Sequence, residues 1–524
     1  MTTGRFQFWD PPTMSVPATE GHKAAGWPEL FGDLIFVSII QELTHFVVHA
    51  IMSSHTGHRL LSDGDHGDDE DAHGDDSSEF LFGWSEIGES VAITILFGAV
   101  AWQVWVIDMT ASARTSGGKD MLGRVLNLIF MGSLVFMSAN IHGGTDSLMF
   151  SYVCWSGAVA KMVCMCKYSR LILNDKAAAP LKNVVLAQVP SIATDLAAGF
   201  VAQSGHREAA FFLYLGSIVY LVTLMMSSWA FGGLGSKESR EAYYLMTTTL
   251  DNHYLVERFG LLQIIIVGET VMQVVAGAKM EAGLLESTYL GQGFLVAMMF
   301  VVIYSNYWVY FDSVDGAGDI THLHKRAAIT VLLHEGLMFA NIFLAAGINV
   351  MLTQTGYQNA GLSRATVDIT CYGYAWLCAI QSSIKLVSTY SARIIKENKR
   401  AFALRIAFTS SAPIVLAIIP SFVDTEKSFD PTAIIGGLFA IAVIRILSIF
   451  VSDAWDWFVL QRNGGGGEEG EEGGGGVKEK PLLVPVIQKR ICKPVEAMET
   501  DRKSSTGDSD VGSFFSGVLG QTDM

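Results

Sequence analysis

Glu257-Arg258-Phe259-Gly260-Leu261-Leu262-Gln263-Ile264-Ile265-Ile266-Val267-Gly268-Glu269-Thr270 places a carboxylate, Glu269, inside a run too apolar for any solvated helix face. An isolated charge in hydrocarbon costs several kcal/mol, roughly 2.5 to 3.5 on insertion scales. An acid kept there calls for a buried partner, a polar path or a proton. Working outward from this stretch, the rest of the chain has the composition of a membrane protein. Half of the 524 residues are hydrophobic, 16% are charged and the mean hydropathy is +0.36, whereas a soluble domain carries about 25% charged residues.

The formal charge of -16 is local. Nine acids lie between Asp63 and Glu79 and four between Glu468 and Glu472, so the body of the chain is not acidic. No basic stripe exists on which nucleic acid would bind. The six cysteines form no CxxC pair and lie mostly in apolar runs, as packing residues do.

Apolar runs of about 20 residues, enough to cross a bilayer, predict an all-α polytopic bundle of about twelve spans. They fall near 28–52, 84–108, 122–141, 147–168, 183–203, 210–231, 254–278, 288–311, 327–350, 369–391, 401–423 and 432–457. Fourteen Lys and Arg fall in the even-numbered connections, among them Arg114, Lys167, Lys237, Lys325 and Arg393, against five in the odd-numbered ones. By the positive-inside rule both termini are expected in the cytoplasm. The expected layout is a cytoplasmic segment 1–27, a transmembrane domain 28–460 with an acidic, His-rich outer loop at 53–79, and a disordered cytoplasmic tail 461–524. The tail opens with a Gly/Glu block too polar to order itself and could bind a cytoplasmic partner. In the outer loop His55, His58, His66 and His73 stand among carboxylates, a ligand type suited to zinc or copper but without fixed spacing. A solvated acidic loop with incidental histidines accounts for them more simply.

The first span is unusually polar, with Glu29, Asp33, Glu42, His45 and His49. Glu42-x-x-His45 has the i, i+3 spacing of di-iron carboxylate bundles, but no second such set appears; a polar network or a proton-handling pair is the other reading. At about 1.5 Å per residue, Glu42, Asp195, Glu269 and Arg445 all fall near the bilayer centre, as the polar residues of a transporter site do. Arg445 is placed to neutralise one acid and Lys161 to reach Asp195. Three acids against one central Arg leave a carboxylate short of a cation, and protonation is the easiest remedy. Glu29 and Asp33 are expected at a cytoplasmic mouth. His253, Glu257, Arg258, Asp312 and His334 are expected around one cytoplasmic vestibule, with Arg258 balancing Glu257. Tryptophans and tyrosines near span ends, including Trp102, Trp105 and Tyr310, suit an aromatic belt.

These residues resemble a family. Trp27-Pro28-Glu29-Leu30-Phe31-Gly32-Asp33-Leu34-Ile35-Phe36-Val37 with Leu43-Thr44-His45, then His253 with Glu257-Arg258-Phe259-Gly260-Leu261 and Gly268-Glu269, then Trp308-Val309-Tyr310-Phe311-Asp312 with His334 and Gly347, are similar to motifs of the bacterial low temperature requirement A proteins. The resemblance implies a multi-pass membrane protein; the expected location is the plasma membrane or an endomembrane. From the residues themselves, the expected function is gradient-driven, proton-linked transport of a small solute or ion, because no G-x-x-x-x-G-K-[ST] occurs. No cofactor and no enzymatic activity are expected. The alternatives are a sensor or scaffold with structural ion pairs, and an intramembrane enzyme acting on lipid.

Overall fold

The computed structural model describes residues 12–14, 25–62, 86–116, 121–143, 146–175, 178, 181–231, 252–278, 286–314, 324–356, 362–389, 415 and 431–464. The chain divides into two units, 1–458 and 459–524, and all contacts described below lie in the first. Eleven α-helices are found among the described residues: α1 (Trp27–Ser62), α2 (Glu86–Arg114), α3 (Met121–Ile141), α4 (Ser147–Asn174), α5 (Lys182–Gln203), α6 (Arg207–Phe231), α7 (Asn252–Gly277), α8 (Glu286–Val314), α9 (His324–Gly356), α10 (Arg364–Thr389) and α11 (Pro431–Gly464). A short antiparallel ladder pairs β1 (Thr13–Met14) with β2 (Thr115–Ser116), tying the segment before α1 to the end of α2.

Nine of these helices are long and apolar enough to cross a membrane among the described residues; α6 and α10 are outside that set. The span expected at 401–423 and the tail beyond Gly464 lie outside the described residues. Two boundaries move. Helix α1 continues to Ser62, so the segment expected as a loop from 53 begins as helix, and α11 reaches Gly464, past the expected end at 460.

Burial separates central from peripheral helices. In α9, 83% of the apolar window is buried, against 22% in α3, whose Leu128, Val135 and Phe136 point outward as a lipid-facing stripe does. Helix α9 is apolar all round, the pattern of a helix enclosed by others. One face, Phe339, Ile342, Phe343, Ala346 and Val350, packs into a core built with α1, α2, α4 and the first half of α7. The other, Leu337, Ala340, Leu344, Ile348 and Met351, packs into a second core with α8, α10 and α11. Both faces recur every three to four residues, the helical period.

Lipid chains are as apolar as leucine, so helices in a bilayer associate by close packing, for which small residues are needed. A Cβ on Gly373 of α10 would lie 2.9 Å from the Leu344 amide nitrogen of α9, and one on Gly347 of α9 would lie 3.0 Å from the Thr370 Cα. At Gly373 the obstacle is backbone, so the helices would have to part; at Gly347 the Thr370 side chain stands nearer still. Gly277 of α7 meets α9 in the same way, 2.6 Å from the Asn349 carbonyl oxygen.

The cations counted for orientation are not all free loop charges. Arg114 is buried and its Nη1 donates to Tyr168 Oη at 3.0 Å, and Lys167 is paired with Asp108.

Gly373→Val is expected to lower stability by about 1–3 kcal/mol, the usual cost of overpacking. Thermal unfolding of the purified protein in detergent measures this; an unchanged midpoint would mean that α9 and α10 are not in backbone contact.

Candidate functional site

Four clusters of ionisable groups among the described residues hold expected site residues. The first joins α1 to α7. Asp33 and Arg258 are both fully buried and form an ion pair through Oδ1 and Nη2. Trp105 Nε1 of α2 donates to the same Asp33 oxygen at 2.8 Å, and Arg258 Nη1 donates to Tyr254 Oη at 2.8 Å. Three expectations change here. Arg258 balances Asp33 rather than Glu257. Asp33 is closed into a pair rather than lining a mouth. Trp102 and Trp105 are core residues, 2% exposed, not part of an interfacial belt, because the pair needs a dry aromatic wall and an indole donor. Glu29 caps the start of α1, its Oε2 accepting the Gly26 N–H at 2.7 Å.

The second cluster joins α4, α5 and α6. Lys161 Nζ lies 2.7 Å from Asp195 Oδ2 and donates to Ser191 Oγ and Ser217 Oγ, each at 2.9 Å. Both charged side chains are inaccessible. The third cluster surrounds Arg445 of α11, whose Nη1 donates to Asn306 Oδ1 of α8 at 2.8 Å and whose Nη2 donates to Gln381 Oε1 of α10 at 2.6 Å. Arg445 is expected to neutralise an acid, but its hydrogen-bond partners among the described residues are neutral amides.

The fourth cluster holds Glu269. It is 8% exposed and belongs to no ion pair among the described residues. Gln273 Nε2, one turn on, donates to its Oε1 at 2.6 Å; Asn349 Nδ2 of α9 donates to Gln273 Oε1 at 2.7 Å; Thr353 Oγ1 donates to the Asn349 carbonyl at 2.9 Å. On its other side Glu269 is within electrostatic reach of His45 and Glu42 of α1. Glu42 is 35% exposed and lies 3.8 Å from His142 Nδ1, just past α3, whose side chain is 60% exposed. His49 meets the His142 ring edge-on at 6.1 Å. Acids and imidazoles therefore run from a buried carboxyl at the α1–α7–α9 seam to an exposed rim. The order of these contacts also shows that α1 and α7 run parallel: Asp33 meets Arg258 near both helix starts, and Glu42 and His45 approach Glu269 further along both.

Of the expected vestibule, the described side chains of Arg258 and His334 are each closed into contacts of their own. His334 is buried, 4.3 Å from the Phe259 ring, with Nε2 at 2.9 Å from Tyr310 Oη and Nδ1 at 2.7 Å from the Thr330 carbonyl. Tyr310 is likewise fully buried rather than interfacial. Glu257 is half-buried. The side chains of His253, Asp312, His55 and His58, and the whole of His66 and His73, lie outside the described residues. Among the described residues no group of three or more His, Cys, Asp or Glu is placed to hold a metal ion, so Glu42 and His45 gain no further ligand. Thus Glu269, His45 and Glu42 come together, while Asp195 and Arg445 belong to other clusters.

A family model described as bacterial low temperature requirement A protein (LtrA) matches residues 24–443. The chain belongs to the LtrA family. Neither the curated proteins nor the solved structures contain a match. With its nine candidate spans, this LtrA member is a multi-pass integral membrane protein, and the Glu269 seam lies wholly inside the matched region. Sequence reasoning missed Trp105, Tyr254, Asn306, Asn349 and His142. Gln273 alone had a local signal, standing four residues after Glu269 on the same face.

Removing one partner of a buried ion pair costs about 3–5 kcal/mol. Asp33→Ala is expected to lose that much and the double variant Asp33→Leu/Arg258→Met considerably less, as read by thermal unfolding. Equal losses in both would show that packing, not charge, holds α1 to α7 here.

Proposed function

We propose that this LtrA-family protein is a gradient-driven transporter of a small solute or ion, with Glu269 as the carboxyl that takes up and releases the coupling proton. The observation that carries the proposal is the contrast among the buried acids. Asp33 and Asp195 are each closed against a cation, whereas Glu269 is held by an amide and continues through His45 and Glu42 toward exposed His142. A buried carboxyl with no cation reaches neutrality by protonation, and imidazoles between it and the rim are suited to pass the proton on. Parallel α1 and α7 also suit a site between two helices that cross in the same sense. We place both termini in the cytoplasm, on the charge distribution of the connections, and assign the protein no chemical transformation.

A sensor or scaffold is the second reading, and the two closed ion pairs favour it, since such pairs fix helix register whether or not anything is transported. Proton flux into proteoliposomes loaded with a pH dye separates the two. Glu269→Gln is expected to reduce flux to that of protein-free vesicles, while Glu257→Gln leaves it at the wild-type rate. Absence of flux by folded wild-type protein under every gradient, with a panel of ions and small solutes outside, would leave the sensor or scaffold reading in possession. Gly277→Ala, which pushes α7 from α9 beside Asn349, is expected to slow flux without abolishing it; a wild-type rate would detach the Gln273–Asn349 contact from transport.

A further inference from the structure

A second acid in the bundle shares with Glu269 the lack of a cation. Glu335 of α9 lies six residues, about 9 Å, inside the span Ile329–Gln354, and it is half-buried. Among the described residues it enters no ion pair and no hydrogen bond, and no charged group stands within electrostatic reach of it. A carboxylate within a span costs several kcal/mol unless its charge is relieved, so an acid kept there calls for a role.

Helical periodicity fixes where Glu335 points. Positions 335, 339, 342, 346 and 349 form one stripe of α9. Phe339, Ile342 and Ala346 of that stripe pack in the core shared with α1, α2 and α7; a Cβ on Gly98 of α2 would lie 2.5 Å from the Phe339 ring. Asn349, on the same stripe, holds Gln273 beside Glu269. Glu335 therefore stands on the seam face of α9, about 21 Å along the axis from Asn349. Helices α7 and α9 run parallel, since Phe259 meets His334 and Gly277 meets Asn349. Glu335 is thus level with Phe259, at the end of the seam where α7 begins, while Glu42 and His142 mark the other end.

The charged groups around this end are engaged elsewhere or face away. Asp33 of α1 and Arg258 of α7 are closed on each other, and His334 is closed on Tyr310 and the Thr330 carbonyl. Glu257 shares its stripe of α7 with Ile264 and Val275, which are exposed, so it faces away from the seam. On α10, Lys385 stands five residues past Ile380, which packs at Gly336, and has a contact of its own. Helix α2 presents the uncharged ring of Trp102, stacked on Phe259, and the side chain of Asp312 on α8 lies outside the described residues.

A proton is the remaining means of neutralising Glu335. We infer that Glu335 is a second proton-carrying carboxyl of the seam, exchanging protons at the end opposite the His142 rim while Glu269 exchanges on the rim side. The inference rests on the transport reading and supplies a step that it needs: a proton taken up by Glu269 has to leave at the other end, and Glu335 is a cation-free acid standing there. The two lie about 15 Å apart along the helix axes, too far for a direct hydrogen bond, so water carries the proton between them.

The test begins with wild-type protein in detergent, treated with dicyclohexylcarbodiimide, which adds to protonated carboxyls in apolar surroundings. Peptide mass spectrometry over a pH series locates the adducts. They are expected on Glu335 and Glu269, fading as pH rises, and not on Asp33 or Asp195, which face cations. Proton flux into proteoliposomes is then compared for wild type, Glu269→Gln and the isosteric Glu335→Gln, with the fold of each checked by thermal unfolding. Glu335→Gln is expected to bring flux down to that of protein-free vesicles without lowering Tm. A wild-type rate in folded Glu335→Gln, beside loss of flux in Glu269→Gln, would overturn this inference and leave the transport reading standing; absence of flux in the wild type would remove both. If Glu335→Gln does not fold, the labelling decides, and no adduct on Glu335 at any pH overturns the inference.

Discussion

A charge carried into hydrocarbon has to be neutralised where it stands, and the helices of this protein are arranged around that requirement. Arg258 on α7 can be buried because Asp33, some 225 residues earlier, is brought against it by α1, with Trp105 of α2 donating to the same carboxylate oxygen. Lys161 requires α4, α5 and α6 together, since it pairs with Asp195 and donates to Ser191 and Ser217. Each pair fixes the axial position of its helices, because sliding either helix by one turn would strand both charges. Buried pairs of this kind add little net stability over well-packed apolar residues, but they are costly to break, so their contribution is to register.

Between the charged clusters, association rests on shape. Helix α9 is the hub, with one face in each of the two cores, and its neighbours approach to backbone contact where glycines remove the side chain: Gly347 and Gly373 against α10, Gly277 against α7. The last of these places Asn349 against Gln273, and Gln273 against Glu269. The packing hub and the polar seam are thus one structure, and changes in the spacing of α7 and α9 act directly on the environment of the carboxyl.

Much of this architecture was legible in the chain. The 257–270 stretch announced a buried acid, the apolar runs located the eleven described helices though α1 and α11 extend well past their expected ends, and the motifs around Trp27, Glu257 and Trp308 pointed to the LtrA family. The misreadings have a common cause. Trp102, Trp105 and Tyr310 were assigned to an interfacial belt because aromatic residues near span ends usually sit there, and nothing local distinguishes an indole that faces lipid from one that faces a buried carboxylate. Arg258 was given to Glu257 because Glu257 is its neighbour in sequence, although adjacent residues on a helix point about 100° apart and do not face each other.

The sequence by itself determined that this is a multi-pass helical membrane protein with acids and bases inside it, because hydropathy, run length and composition are local properties that the bilayer reads directly. Only the tertiary structure decided which acid meets which base, and which is left without one. Asp33 with Arg258, Asp195 with Lys161, Arg445 with two amides and Glu269 with Gln273 are set by helix neighbours, depth and facing. No periodicity along a single helix encodes a partner on another.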